Sequence, residues 1–100
     1  MRIPKRFKIF GKTVEVIYDE QLRLKDDASG TASFRRNVVT LQPSSSHWPL
    51  AHESIEQTYF HEVTHIILRA ICEPDLCDNE KFVDTFASAL HQVLTTAEYK

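Results

Sequence analysis

Residues 51–72 read AHESIEQTYFHEVTHIILRAIC, and the rest of the chain is organised around them. Ile55, Phe60, Val63, Ile66, Ile67, Ala70 and Ile71 recur at the spacing of one helix face. The pattern predicts a helix over about 51–72. Ser54 with Gln57 three residues on matches a capping box, and a start one turn earlier is also open. Glu73-Pro74-Asp75 stops this helix, because proline lacks the backbone donor and clashes with the preceding turn. Asp78 or Asn79 then caps a second helix to about Thr96, whose apolar positions are Phe82, Val83, Phe86, Ala87, Leu90, Val93 and Leu94.

Upstream of residue 51 the pattern changes period. Residues 7–10 and 13–18 are β-prone, with Gly11-Lys12 between them as a turn signal. Val14, Val16 and Tyr18 alternate with Thr13, Glu15 and Ile17, as in a strand with one buried face. Residues 19–24 fit a short helix or a loop, and 26–30 are a turn. Residues 31–36 and 37–42 read as two strands or one long bent one, ended by Pro43. Residues 43–49 are the expected flexible connector, with Trp48 as a core or loop anchor. The predicted fold class is α+β: a small antiparallel or mixed sheet packed on two helices, in one domain over 1–100.

Composition narrows the function classes. The chain has 12 Lys+Arg against 14 Asp+Glu and a net charge of −2, so it offers no electrostatic footprint for nucleic acid or an anionic membrane. Arg35-Arg36 reads as a solvated face. No apolar run approaches the roughly 18 residues of a membrane span. The basic start is not followed by an apolar segment of a secretory signal, so the expected location is cytoplasmic. Cys72 and Cys77 are then two free thiols.

Five histidines are many for this length, and two of them lie in His61-Glu62-Val63-Thr64-His65, an H-E-x-x-H pattern. Side chains four apart stand one above the other on a helix, so two imidazoles at this spacing can share one Zn²⁺. Glu62 is rotated from them by about 100°. That angle disfavours ligation and suits a general base acting on a zinc-activated water. A catalytic zinc site needs a third protein ligand, and Glu80, opening the second helix, is the candidate. Asp84, one turn later on the same face, is the candidate to orient a ligating imidazole. The plainer alternatives are a carboxylate favouring the helix macrodipole at Glu80 and a solvated charge at Asp84. A loop over about 73–78 is long enough to bring Glu80 beside His65 if the two helices are antiparallel.

The pair H-E-x-x-H and N-E-x-x-x-D resembles the gluzincin metallopeptidases. The run from Glu80 through Val83-Asp84-Thr85-Phe86-Ala87 is also similar to ImmA/IrrE-type peptidases and to small phage and prophage zinc peptidases. Val83 and Asp84 stand where the ImmA/IrrE pattern has Ala-Asn. The resemblance spans about residues 31–95, with its specific motifs at 61–65 and 79–87. It implies a minimal zincin-like core, with His61, His65 and Glu80 as zinc ligands and Glu62 as general base. It also implies Asp84 behind an imidazole, and a protein or peptide substrate. No third histidine follows at metzincin spacing. With no length for a second lobe, an oxyanion donor is expected from His47, His52, Tyr59, Arg69 or His91, or from a partner. His91 otherwise reads as a polar position on the second helix. In zincins a sheet edge holds the substrate backbone, and residues 38–42 are the expected edge.

These readings predict zinc-dependent peptide-bond hydrolysis. The rival is a zinc-stabilised protein-binding or adaptor domain with vestigial or no hydrolytic activity. The small size favours the rival and the intact Glu62 favours the enzyme. The sequence leaves the oligomeric state and the identity of the substrate open.

Overall fold

A computed structural model describes residues 1–99. Strands β1 (Arg6–Ile9) and β2 (Lys12–Tyr18) form an antiparallel hairpin in which Ile9 pairs with Lys12. The two residues between them, Phe10 and Gly11, both have positive φ, 49° and 80°. Those signs match a type I′ turn, whose twist suits a hairpin. Helix α1 (Leu22–Asp26) follows, so residues 19–24 enter a short helix and bury Leu22. Strands β3 (Gly30–Ser33) and β4 (Val38–Leu41) pair antiparallel, separated by a turn in which Asn37 takes φ 56°.

The sheet order is β1-β2-β4-β3, and β2 pairs with β4 in parallel, so the sheet is mixed. This order corrects one expectation. β4 is interior, bonded to β2 on one side and β3 on the other, so residues 38–41 have no free edge. The edge is β3. Val14, Val16, Val39 and Leu41 point to one buried face, while Glu15 and Ile17 are exposed, as their alternation requires. Tyr18, expected on the buried face, is exposed at the strand end.

The long helix is α2 (His52–Ala70). It starts at Ala51 with no side-chain cap, so Ser54 lies inside the first turn and the Ser54–Gln57 box does not form. A short helix α3 (Pro74–Cys77) fills the connection, with Pro74 in the first turn where its missing donor costs nothing. Helix α4 (Glu80–Thr96) follows, and Asn79 Oδ1 accepts from Phe82 N at 3.0 Å as its cap. His61 meets Glu80 and Glu56 meets His91, so α2 and α4 run antiparallel.

α2 is a middle layer. Tyr59 packs edge-on to Phe7 of β1, with ring centroids 6.4 Å apart. Phe60 lies 5.6 Å from the His91 ring of α4, and Leu68 packs with Cys77 and Val83. The sequence pattern anticipates one apolar face, but tertiary cover on two sides also buries Glu56, Glu62 and Thr64. His91 is likewise buried, which corrects its reading as a plain polar position. Its Nε2 bonds Glu56 Oε1 at 2.7 Å, and the Met1 amino group reaches Glu56 Oε2 at 2.9 Å. Among the described residues no helix is long and apolar enough to cross a membrane.

Candidate metal centre

Two covered sides leave α2 a narrow window, and His61 and His65 occupy it. Each is half-buried, with ring centroids 5.1 Å apart. The capped start of α4 sets Glu80 against them. Its two oxygens lie 3.1 Å from His61 Nε2 and 3.0 Å from His65 Nε2. One ligand atom from each of the three residues falls within 4.8 Å of the others.

The three side chains could together hold a metal ion. The 3.1 and 3.0 Å contacts run from different Glu80 oxygens to the two imidazoles, so the carboxylate bridges them at hydrogen-bond distance. Two imidazoles and one carboxylate are donors of the kinds that metal ions take.

Both histidines have a partner on the other ring nitrogen. His61 Nδ1 faces Asp84 Oδ1 at 3.4 Å, where the i, i+4 relation to Glu80 places Asp84. His65 Nδ1 lies 3.4 Å from Cys77 Sγ, and the thiol in turn donates to the His65 carbonyl at 3.6 Å. Such contacts fix which nitrogen is free to face a metal. Cys77 is a free, buried thiol, as the sequence implies. Its place behind His65 was not legible, because nothing in the spacing from residue 65 to 77 fixes the turn through α3.

Glu62 lies outside the three-residue cluster. Its side chain is buried against the start of β3, where Gly30 makes room for it. A Cβ on Gly30 would stand 2.5 Å from Thr58 Cγ2 and 3.1 Å from Glu62 Cγ. Burial pushes the Glu62 carboxyl up to about 7, with the Glu80 charge acting the same way and His61 opposing. The sequence reads Gly30 only as a turn residue.

Glu62 lines two grooves. One, about 470 Å³, runs along Ser29, Gly30, Ser54, Thr58 and His61. The other, about 510 Å³, runs along Ala32, Ser33, His65, Arg69 and Cys77. Edge strand β3 therefore flanks both. Of the five side chains named as oxyanion donors, Arg69 alone lines either groove. Tyr59 is buried in the core, with its hydroxyl pushed up to about 12 by burial. His52 and His91 are engaged with Glu56, and His47 sits beside Trp48 in the 43–49 connector. Arg23 stacks 5.0 Å over the Trp48 ring, so Trp48 anchors that connector.

No family model, curated protein or solved structure matches the chain.

Proposed function

We propose that this chain is a zinc-dependent peptidase of gluzincin type, acting on a protein or peptide substrate. One observation carries the reading. α4 delivers both Glu80 oxygens to within 3.1 Å of the His61 and His65 Nε2 atoms, beside a buried carboxylate that opens on two grooves. His61, His65 and Glu80 would hold the ion. Zinc supplies Lewis acidity toward the scissile carbonyl and the attacking water. Glu62 would be the group to take a proton from a water whose oxygen adds to the carbonyl carbon. The same carboxyl would return the proton to the amine nitrogen as the C–N bond breaks. Asp84 and Cys77 hold the imidazoles with Nε2 forward.

Mass spectrometry of the purified chain should find about one zinc per molecule, sharply reduced in Glu80→Ala. Glu62→Gln should keep the zinc and the fold while hydrolysis of a peptide library is lost. A wild-type chain that takes up no zinc on reconstitution removes the reading. A zinc-loaded chain whose function Glu62→Gln leaves untouched belongs instead to the adaptor class.

A further inference from the structure

The two grooves beside Glu62 differ in charge. The His61-side groove carries Glu53 and Asp84 and no lysine or arginine. The His65-side groove carries Arg35 and Arg69, with Asp78 the only carboxylate besides Glu62. Arg69 follows His65 by one helical turn on the same face of α2. Arg35 stands on the opposite wall, in the turn after β3, where Ser33 Oγ accepts from Arg36 N at 3.1 Å and pins the backbone. Both side chains are exposed, and among the described residues neither joins an ion pair. Two arginines lining one groove, each free of an ion pair among the described residues, offer planar bidentate donors to a carboxylate.

We propose that the His65-side groove is a carboxylate-recognition subsite built by Arg35 and Arg69. It seats an acidic side chain, or the free C-terminus, of a peptide whose next bond lies over Glu62. The subsite assigns a substrate class to the site described above and rests on the peptidase reading. The same carboxylate is repelled from the other groove by Glu53 and Asp84, so the charge asymmetry also fixes which way round the peptide lies. Reading Arg35 as a plain solvated charge omits Arg69, which only the fold brings opposite it.

Binding tests this without turnover. The full chain, freed of metal with a chelator and shown folded by circular dichroism, is titrated with fluorescent alanine-rich pentapeptides. One pair differs by Glu against Gln with an amidated end. Another differs by a free against an amidated C-terminus with Gln throughout. At low ionic strength one carboxylate peptide should bind at least about tenfold tighter than its neutral twin. The preference should shrink with added salt and vanish in Arg35→Gln/Arg69→Gln. The pair that shows the preference tells the side chain from the terminus. Equal binding within both pairs, or a preference that survives the double substitution, overturns the subsite. The zinc-reloaded chain is then given the same peptides. Charge-selective binding without cleavage retires the peptidase and keeps the subsite, while cleavage indifferent to both arginines does the reverse.

Discussion

Gly30 shows how much one missing side chain decides. In Gly30→Ala the new methyl meets Thr58 Cγ2 at 2.5 Å, and Thr58 is pinned by its hydroxyl bond to the Ser54 carbonyl. The strand must retreat from α2. Urea unfolding should register a loss of about 1–3 kcal/mol. Adding Thr58→Ser, which removes that methyl and keeps the hydroxyl, should restore most of it; no recovery would place the strain elsewhere. The imidazole partners give a second residue-level test. Asp84→Ala and Cys77→Ala should each weaken zinc binding about tenfold or more, read by competition with a chromophoric chelator. Cys77→Ser, which keeps a donor and an acceptor, should lose less than Cys77→Ala. Unchanged affinity in both alanine variants would show that the two Nδ1 contacts do not hold the rings.

Among the elements, the β1–β2 hairpin carries a local conflict. Phe10 is 75% exposed and sits at φ 49°, where a bulky side chain is disfavoured. Asparagine tolerates that conformation, and Asn before Gly is the preferred type I′ pair. Phe10→Asn should therefore raise stability by about 0.5–1 kcal/mol in urea, and a net loss would mean that the exposed ring is needed for packing. The elements were legible where pattern alone decides them. α2 and α4 follow from helical periodicity, and the inward positions Val14, Val16, Val39 and Leu41 from alternation. The strand order was not legible. The parallel β2–β4 pairing joins residues separated by α1 and β3, and no local pattern records it. The supposed edge at 38–42 failed for that reason. Around the site, H-E-x-x-H and Glu80 at the start of the second helix could be read directly, while Cys77, Gly30 and the Arg35 wall enter through contacts that only the chain's return path creates.

At the scale of the whole molecule, a buried charge ties the termini of the fold to its middle layer. Glu56 is 4% exposed and accepts from the Met1 ammonium and from His91. The ammonium first, then His91, hold its carboxyl below the ordinary 4.5, against the opposing effect of burial. The folded value lies below the unfolded one. The resulting stability is present above about pH 4.5 and is lost as pH falls through the folded value. At neutral pH, Glu56→Gln should cost about 1–3 kcal/mol. The gap between the two proteins should close as acid unfolding curves are extended below pH 4.5, and a gap that stays constant would mean the carboxyl is not the titrating group.

The cap at Asn79 and the antiparallel return of α4 also set a timetable. A ribosome delivers His61, Glu62 and His65 together, on a single helix, before it delivers Glu80. A nascent chain at that stage carries Glu62 and two imidazoles but lacks Glu80. The centre is closed only by the docking of the helix translated after it. Synthesis therefore separates the appearance of His61 and His65 from their assembly with Glu80, and on the proposed reading an incomplete chain lacks one of the three ligands.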